Sequence, residues 1–368
     1  FIRSYVPVPD TDEDSVKEAA ELINNAERPL VLVGQGVELG NAQSELRAFI
    51  EKADMPAGCT LLGLSALPTD HPLNKGMLGM HGNLGPNINT NKCDVLIAVG
   101  MRFDDRVTGN LATYAKQAKV IHFDIDPAEV NKNVKVDIAV LGDCKNTLAA
   151  VTGLLKENKH TEWNDSFKEY EKVEEEKVIR PELYPATDSL TMGEVARAVS
   201  EATHHEAVLV TDVGQNQIWS CGYHIVKKGK FLTSGGMGTM GYSIPAAIGA
   251  KTAAMDKQVI AVCGDGSFQM SMMELATIRQ HRIPVKIIVL KNNYLGMVRE
   301  YQHYTYKDHY SVVDLSGSPD LEKLSAAYDI PYLRLNNMEH VDEVLDTFLA
   351  EDNTMLLECL IDPMDLVK

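Results

Sequence analysis

The feature that most constrains the fold is a pair of apolar runs, each leading into a polar turn. Residues 259–262 (Val-Ile-Ala-Val) precede Gly264-Asp265-Gly266, and residues 285–290 (Val-Lys-Ile-Ile-Val-Leu) precede Lys291-Asn292. Between them, residues 270–282 place apolar side chains at roughly helical spacing. The pattern predicts strand, helix and strand, which is one βαβ unit. Its crossover brings both strand ends to the same edge of a parallel sheet.

Asp265 and Asn292 therefore follow neighbouring strand ends, where each can offer an oxygen to a hard cation such as Mg²⁺. The flanking glycines let the backbone approach a phosphate closely, and the helix predicted after Ser267 directs its free amides towards it. A Gly-Asp-Gly turn alone is also common as a simple turn. Together with the asparagine, it predicts a magnesium and diphosphate site at the carboxyl edge of the sheet.

Composition excludes several classes of protein. The chain has 368 residues, 45% hydrophobic and 24% charged, which is typical of a globular protein with two or three domains. Its net charge of −17 argues against a nucleic-acid surface. No apolar run reaches the length of a membrane span. The six cysteines form no Cys-x-x-Cys pair, which favours reduced thiols in the cytoplasm over disulfides or a zinc site.

Strands alternate with helices along the chain, which predicts an α/β fold of two doubly wound parallel-sheet domains. We assign the domains to residues 1–155 and 186–368, with a Lys- and Glu-rich linker at 156–185. The predicted strands of the first half are 30–34, 94–100, 119–124 and 138–141, with a helix at 42–53. The second half adds a helix at 192–202, a strand at 208–212, a helix at 341–350 and a strand at 355–361.

Two further glycine-bearing loops follow predicted strands of the second half. Residues 212–217 (Asp-Val-Gly-Gln-Asn-Gln) follow the strand at 208–212, and residues 234–241 (Ser-Gly-Gly-Met-Gly-Thr-Met-Gly) follow the apolar pair Phe231-Leu232. Each loop taken singly fits a tight turn. Three such loops at strand ends suit an extended, phosphorylated cofactor.

These motifs resemble those of a known family. The Gly-Asp-Gly and Asn spacing resembles the thiamine diphosphate (ThDP) signature, and residues 235–250 and 292–299 are similar to acetolactate synthase (acetohydroxyacid synthase) large subunits. The resemblance implies bound Mg²⁺, with Asp265, Asn292 and the main-chain oxygen of Tyr294 as ligands. Lys291 replaces the first asparagine of the usual pair but spares the ligand position. The implied ThDP contacts are Gly214, Gln215, Asn216, Gly238, Met240, Gly264, Asp265, Gly266, Ser267, Asn292, Tyr294 and Gly296.

The same resemblance assigns roles to two methionines. Met240 would be the apolar wedge beneath ThDP, although a methionine here also fits ordinary core packing. Met297 would line the substrate pocket. Asn216 stands where the family usually has histidine, and an asparagine can still donate a hydrogen bond.

Three segments of the first half also follow predicted strands or lie in loops: 76–82, 100–106 and 122–127. An arginine fork suits phosphate or carboxylate, and an acidic residue at a strand end can hold a ribose hydroxyl. Taken singly, Arg102, Asp104, Asp105 and Arg106 also fit a surface salt-bridge cluster, and His81 fits loop packing.

Together these segments resemble the FAD-binding middle domain of acetolactate synthases, in which the flavin takes no net part in the reaction. No Gly-x-Gly-x-x-Gly opens the domain, so only the resemblance distinguishes this from an NAD site. Met80 and Arg106 would also face the active site, with Arg106 a candidate for the carboxylate of the acceptor keto acid. The implied FAD contacts are Gly34, Gly36, Thr60, Leu61, Leu78, Gly79, Met80, His81, Gly100, Arg102, Asp104, Arg106, Val107, Asp124, Ile125 and Asp143.

The implied activity is that of a transferase in branched-chain amino acid biosynthesis. Pyruvate is decarboxylated on ThDP, and the hydroxyethyl unit passes to pyruvate or 2-ketobutyrate. Tyr301 stands where the family often has tryptophan, which leaves the acceptor preference open. The resemblance also implies a homodimer or homotetramer and a small regulatory subunit. The alternatives are another FAD and ThDP enzyme, such as glyoxylate carboligase or pyruvate oxidase, and a non-catalytic flavin-binding module.

The family also has an N-terminal pyrimidine-binding domain, whose glutamate activates ThDP, and a C-terminal tail that helps close the site. We find no equivalent of that glutamate in residues 1–368. We therefore expect this sequence to be a fragment that is inactive by itself.

Overall fold

The computed structural model describes residues 6–223, 225–350 and 352–367. The chain divides into two compact units, with the boundary between Glu175 and Glu176. Within the described residues, each unit is built on a six-stranded sheet in which all neighbouring strands are parallel. The prediction of two doubly wound parallel sheets is confirmed.

The first unit has the strand order β3-β2-β1-β4-β5-β6. Its strands are β1 (Pro29–Val33), β2 (Ala57–Cys59), β3 (Asn74–Met77), β4 (Val95–Val99), β5 (Lys119–Asp124) and β6 (Ile138–Leu141). Its helices are α1 (Glu13–Asn24), α2 (Gln35–Leu39), α3 (Gln43–Lys52), α4 (Leu84–Thr90), α5 (Asp105–Thr108), α6 (Cys144–Leu154) and α7 (Thr161–Glu174), with 3₁₀ turns at Leu61–Gly63 and Pro127–Glu129.

Both faces of this first sheet are buried. Successive side chains of a strand point to opposite faces, and in β4 Leu96 and Ala98 join one apolar cluster while Ile97 and Val99 join another. Parallel sheets are normally covered on both sides by their crossover helices. Polar functional groups that a ligand could reach are therefore expected at the ends of the strands.

The segment predicted as a charged linker contains helix α7. Its Trp163 and Phe167 are buried in the core of the first unit, and Trp163 Nε1 donates a hydrogen bond of 2.7 Å to the Pro29 carbonyl oxygen. Part of the 156–185 segment thus packs within the first unit. A π-helical turn (Glu175–Ile179) and α8 (Arg180–Leu183) follow. Residues 1–5 of the assigned first domain lie outside the described residues.

The second unit has the strand order β11-β12-β10-β9-β7-β8. Its strands are β7 (Val208–Thr211), β8 (Lys230–Thr233), β9 (Val259–Gly264), β10 (Lys286–Lys291), β11 (Tyr332–Leu335) and β12 (Met355–Leu360). Its remaining helices are α9 (Met192–Ala202), α10 (Gln215–Tyr223), α11 (Ser243–Ala253), α12 (Asp265–Ser271), α13 (Leu275–His281), α14 (Gly296–Tyr306), α15 (Leu321–Ala327) and α16 (Val341–Leu349), with a 3₁₀ turn at Met272–Glu274. No helix within the described parts of either unit is long and apolar enough to cross a bilayer.

The βαβ unit predicted from the two apolar runs is present, with two differences in its helical part. Strands β9 and β10 are parallel neighbours, with Leu290 in register with Gly264. The helix begins at Asp265 rather than after Ser267, with Gly264 as its N-cap residue, and the 3₁₀ turn at Met272–Glu274 interrupts it. Asp265 is consequently the first residue of a helix, where a carboxylate suits the free amides of the first turn.

Candidate functional site

The second sheet has a topological switch point between β7 and β9. The chain runs from β7 to the edge strand β8 and then returns to β9 on the other side of β7. Loops that leave such a point diverge and open a crevice at the carboxyl ends of the strands, where ligands of open α/β sheets bind. Asp212 follows β7 directly, and Asp265 follows β9.

Asp265 is a buried carboxylate at this edge, only 2% exposed. Its Oδ1 accepts a hydrogen bond from the Gly266 amide at 3.0 Å, and its Oδ2 accepts one from the Asn293 amide at 2.8 Å. Burial raises the pKa of Asp265 to about 6, although these two amides and the charge of Lys291 act in the opposite direction. The ionised form is thus incompletely compensated, and a bound cation would stabilise it.

Asn292 lies beside Asp265 because β9 and β10 are adjacent and parallel. The side chain is buried, and its Oδ1 accepts from the Tyr294 amide at 3.0 Å. Its Nδ2 donates to Gln215 Oε1 at 3.3 Å. The hydrogen bond between Asp265 Oδ2 and the amide of Asn293 joins the two loops. The structure therefore brings together the two side chains that the sequence predicted as a metal-binding pair.

Gln215, at the start of α10, connects this pair to two further elements. Its Nε2 donates to Glu300 Oε2 at 2.7 Å and to the Asp365 carbonyl oxygen at 3.2 Å. A Cβ atom at Gly296 would lie 2.0 Å from Gln215 Oε1. Gly296 thus has no room for a side chain where the Gln215 amide passes. Sequence reasoning named Gln215 and Gly296 but missed Glu300, which follows Arg299 in α14 without any motif of its own.

Asp212 ties together two of the predicted cofactor loops. It is fully buried, and its Oδ1 accepts from the amides of Val213 and Gly241, both at 2.9 Å. Its Oδ2 accepts from the Ser243 amide at 2.8 Å. Sequence reasoning treated Asp212 only as the first residue of a loop. The position of an acidic residue directly after a strand was the available signal.

Met240 lies in the loop that Asp212 holds. Its side chain is half-buried, and its Cε is 3.7 Å from the position of a Cβ atom at Gly266. Gly238, two residues earlier, is exposed and has a φ of +62°, which favours glycine. Met240 therefore reaches the turn that carries Asp265.

A buried amide oxygen that has no hydrogen-bond partner within the described residues also lies in this crevice. Asn216 is 2% exposed, and among the described residues its Oδ1 has no hydrogen-bond partner. Its Nδ2 is 3.2 Å from the position of a Cβ atom at Gly214 and 3.8 Å from one at Gly264. Ser267, also buried, has its Oγ 3.8 Å from the same Gly264 position. Glycines thus leave space beside polar groups that a polar ligand can engage.

The segment after Asn292 leaves the sheet edge and returns to it. Tyr294 and Asp314 form an isolated antiparallel bridge, and two main-chain hydrogen bonds close its base: the Leu295 amide to the Val313 oxygen at 2.9 Å and the Leu315 amide to the Asn293 oxygen at 2.8 Å. We call residues 295–313, which include α14, the excursion.

Arg299 is buried within the excursion and stacks on two tyrosines. Its guanidinium carbon lies 4.5 Å from the ring centre of Tyr294 and 4.9 Å from that of Tyr310. Met297 is half-buried, and Tyr301 is exposed. Arg299 therefore lies on the packed side of α14, and Tyr301 on its exposed side.

The first sheet has its own switch point, between β1 and β4. Here the main chain after β1 is in direct contact with the main chain after β4. The Gly34 amide donates to the Val99 oxygen, and the Gly36 amide donates to the Gly100 oxygen, both at 2.9 Å. A Cβ atom at Gly34 would lie 2.2 Å from the Gly100 oxygen, and one at Gly100 would lie 2.6 Å from Gly36 Cα. Gly100 also has a φ of +60°. Only glycines fit this approach.

The other predicted FAD residues surround this point, each just after or at the end of a strand of the first sheet. Thr60 and Leu61 follow β2; Leu78, Gly79, Met80 and His81 follow β3; Arg102, Asp104, Arg106 and Val107 follow β4; Asp124 ends β5, Ile125 follows it, and Asp143 follows β6. The Met80 amide donates to the Arg106 oxygen at 2.7 Å. Both of these side chains are exposed.

A salt bridge of the kind expected for a surface cluster of charged residues is also present. Arg102 donates to Asp104 Oδ2, and Asp104 Oδ1 accepts from the Arg106 amide at 2.8 Å at the start of α5. The Arg102 side chain nevertheless remains 54% exposed. Its outward donors are thus available to a ligand.

Comparison with known proteins identifies both units. A family model described as "Thiamine pyrophosphate enzyme, central domain" matches residues 16–151, and one described as "Thiamine pyrophosphate enzyme, C-terminal TPP binding domain" matches residues 212–359.

Curated relatives match nearly the whole chain. The "Probable acetolactate synthase large subunit" of Methanocaldococcus jannaschii is 40% identical over 95% of this chain and 60% of its own length. The "Acetolactate synthase isozyme 2 large subunit" of Escherichia coli is 38% identical over 96% of this chain and 63% of its own length. The "Acetolactate synthase large subunit" of Lactococcus lactis is 40% identical over 95% of this chain and 60% of its own length. The chain therefore spans less than two thirds of these relatives.

Proposed function

Because this chain belongs to the thiamine pyrophosphate enzyme family, carrying its central and C-terminal domains, we propose that the protein containing it is an acetolactate synthase. This transferase decarboxylates pyruvate with ThDP and transfers the hydroxyethyl unit to pyruvate or 2-ketobutyrate. The observation that carries the proposal is the buried Asp265 and Asn292 pair at the switch point of a TPP-binding domain. Relatives named acetolactate synthase, at 38% to 40% identity, support the choice of reaction.

The residues at the second switch point fit a magnesium ion. Asp265 offers a carboxylate, Asn292 an amide oxygen and Tyr294 a main-chain oxygen, which are the hard ligands that Mg²⁺ prefers. The raised pKa of Asp265, caused by its burial, indicates a carboxylate whose charge a cation would balance. Within the described residues no group of three or more His, Cys, Asp or Glu could hold a metal, so this site would rely on one carboxylate. Mg²⁺ typically keeps such a small protein ligand set and completes its shell with phosphate and water.

The same crevice fits the diphosphate of ThDP. Gly214 and Gly264 keep side chains away from the buried amide of Asn216, whose oxygen lacks a partner within the described residues. When bound, ThDP supplies the carbanion chemistry that decarboxylation of a keto acid requires. This chain contributes groups that hold the diphosphate end and, through Met240, an apolar support.

For the first unit we propose an FAD site at the switch point between β1 and β4. The close backbone approach of Gly34, Gly36 and Gly100 leaves the strand ends open to an extended dinucleotide. The exposed donors of Arg102 suit its phosphates. The flavin is proposed as a resident group without a net redox role.

The proposed assembly is a cytoplasmic homodimer or homotetramer. The relatives are named large subunits, which supports a smaller regulatory partner. Measuring the mass of the purified protein in solution, alone and with a candidate small subunit, tests this part.

A product assay tests the reaction. We expect the intact protein, supplied with ThDP, Mg²⁺, FAD and pyruvate, to form 2-acetolactate. In parallel assays, acetyl phosphate formed from pyruvate, inorganic phosphate and oxygen would identify a pyruvate oxidase, and tartronate semialdehyde formed from glyoxylate would identify a glyoxylate carboligase. Flavin binding without any of these products would favour a non-catalytic module.

Substitution of the proposed metal ligand tests the site. Asp265→Ala should abolish Mg²⁺-dependent binding of ThDP, because it removes the one carboxylate among the proposed ligands. Calorimetric titration with ThDP, with and without Mg²⁺, measures the effect. Asp256→Ala, at an exposed turn before β9, is the matched control and should bind as the unchanged protein does. Equal ThDP affinity in both variants would refute the ligand assignment.

A further inference from the structure

Three buried side chains from separate segments form a hydrogen-bonded relay that ends at the proposed metal site. Glu300 in α14 accepts from Gln215 Nε2 at 2.7 Å, and Gln215 Oε1 accepts from Asn292 Nδ2 at 3.3 Å. Asn292 Oδ1 in turn accepts from the Tyr294 amide at 3.0 Å. Glu300, Gln215 and Asn292 are 8%, 4% and 5% exposed. Water therefore has little access to these groups, and their orientation depends on one another.

Glu300 determines the direction of this relay. The two ends of an amide are alike in shape but opposite in hydrogen-bonding character, so the partners decide which end faces which group. Glu300 Oε2 is an acceptor, since it also receives the Val367 amide at 3.0 Å. The Asp365 carbonyl oxygen, 3.2 Å from Gln215 Nε2, is a second acceptor. Together they hold the nitrogen of Gln215 on their side and leave its oxygen facing Asn292.

The orientation of Asn292 depends on Gln215 as well as on the Tyr294 amide, which donates to its oxygen. Because Gln215 presents an oxygen, Asn292 turns its nitrogen towards it and its oxygen away from it. A reversed Asn292 would offer an NH₂ group where a cation needs an oxygen. Gly296 accommodates this arrangement, since a Cβ atom there would lie 2.0 Å from Gln215 Oε1 and 2.8 Å from Asn292 Nδ2.

We propose that Glu300 is a positioning residue for the magnesium site: through Gln215 it sets the amide of Asn292 with its oxygen available to the metal. The inference rests on the proposed function, because it assumes that Asn292 binds Mg²⁺. Glu300 itself touches neither metal nor cofactor in this scheme. Side chains that orient metal ligands in this way commonly affect metal affinity nearly as strongly as the ligands do.

Two substitutions at position 300 separate the loss of the acceptor from a change of shape. Glu300→Leu removes the acceptor, so Gln215 loses its anchor and can reverse. Glu300→Gln keeps an oxygen that can accept from both Gln215 and the Val367 amide. With ThDP at a fixed concentration, we expect Glu300→Leu to weaken Mg²⁺ binding about tenfold or more and Glu300→Gln to change it less than about twofold. Calorimetric titration measures the affinity, and thermal unfolding without cofactor reports the fold separately.

A double substitution tests whether the effect passes through the relay. Gly296→Ala should itself break the contact between Gln215 and Asn292, because the added methyl group overlaps both amides. If Glu300 acts through this contact, adding Glu300→Leu to Gly296→Ala should lower Mg²⁺ affinity by less than a further factor of about two. If the two substitutions acted independently, the fold-changes in Mg²⁺ affinity of the two single variants would multiply in the double variant. Gly249→Ala in α11, where nothing lies within 4 Å of the added atom, is the matched glycine control.

The outcomes distinguish the inference from the function on which it rests. Mg²⁺-dependent ThDP binding in the unchanged protein, together with unaltered Mg²⁺ affinity in Glu300→Leu, overturns the role of Glu300 alone. Multiplicative effects in the double variant overturn it as well. Absence of Mg²⁺-dependent ThDP binding in the unchanged protein overturns both the proposed function and the inference.

Discussion

The two units use the same type of sheet edge in different ways. At the switch point of the first sheet, Gly34, Gly36 and Gly100 bring main chain against main chain, and the nearby Arg102 remains exposed. At the switch point of the second sheet, Asp212 and Asp265 are buried and already bonded to loop amides. The first edge is shaped by the absence of side chains and the second by the presence of charged ones.

This difference indicates which type of ligand each sheet edge can bind. An edge of close-packed backbone with exposed arginine donors suits a long ligand that lies across it. An edge of buried carboxylates suits a small, highly charged ligand, because charges are strong only where water is excluded. Such an edge also carries a cost when the ligand is absent, since an ionised carboxylate is then buried without a cation.

The largest expected effect concerns the backbone contact of the first edge. Gly100→Ala combines a left-handed conformation, at φ +60°, with a Cβ atom 2.6 Å from Gly36 Cα. We expect the free energy of unfolding to fall by about 4 kcal/mol or more, because two main-chain segments must move apart. Chemical denaturation of the purified protein measures the loss.

Gly109→Ala is the control for that comparison. Gly109 has nearly the same φ, +56°, but nothing lies within 4 Å of an added Cβ atom. Its ψ of −126° lies outside the left-handed helical region, and we expect a cost of about 1 to 3 kcal/mol from backbone strain alone. Equal losses in the two variants would show that the close approach at Gly100 contributes nothing.

An intermediate effect is the cost of the buried carboxylate at the second edge. The pKa of Asp265 is raised by burial from 3.8 to about 6 in the folded protein. The unfolded chain therefore releases this proton first, so the stabilising contribution is complete below about pH 4 and lost by about pH 6 to 7. A shift of this size corresponds to a loss of about 3 kcal/mol.

Asp265→Asn tests this sign, because it removes the titrating group. Without metal, the unchanged protein should lose more stability between pH 4 and pH 7 than the Asn variant does. Comparing the pH slopes, rather than stability at one pH, avoids the separate effect of the amide on its neighbouring N–H groups. Added Mg²⁺ and ThDP should restore the unchanged protein only. Parallel slopes would mean that the second edge carries no such cost.

The smallest expected effect on stability is at the exposed part of the first edge. Arg102 pairs with Asp104 but is 54% exposed, and pairs of this kind contribute little. Arg102→Gln should change the free energy of unfolding by about 0.5 kcal/mol or less while weakening FAD binding. Flavin fluorescence titration measures the affinity, with Arg47→Gln on the exposed side of α3 as control. A large loss of stability with unchanged FAD binding would assign Arg102 to structure.

Much of the fold could be predicted because many of the strands are apolar runs. The predicted strands at 119–124 and 138–141 coincide with β5 and β6, and that at 94–100 contains β4. Two edge strands gave no such signal: β3 (Asn74–Met77) is largely polar, and β11 (Tyr332–Leu335) is half-exposed. Their extended conformation depends on pairing with a neighbouring strand, which a local pattern does not record.

Part of the candidate site could likewise be predicted from the sequence, and part could not. Asp265 and Asn292 could be paired from sequence because parallel strands deliver their ends to one edge. The contact between Gln215 and Glu300 joins residues 85 positions apart, one at the first position of α10 and the other on the side of α14. No periodicity connects such positions. The charged composition of residues 156–182 likewise concealed the fact that Trp163 and Phe167 anchor α7 to the first core.

The closed base of the excursion has a consequence for how such a site can evolve. The bridge between Tyr294 and Asp314 holds both ends of residues 295–313 at the sheet edge. Val298 and Tyr301 point outward from α14 and are exposed. We expect mutations at these two positions to leave Asn292 in place, because the main-chain hydrogen bonds that close the base of the excursion do not involve them. Selection for a new surface can thus proceed while the anchor beneath it stays unchanged.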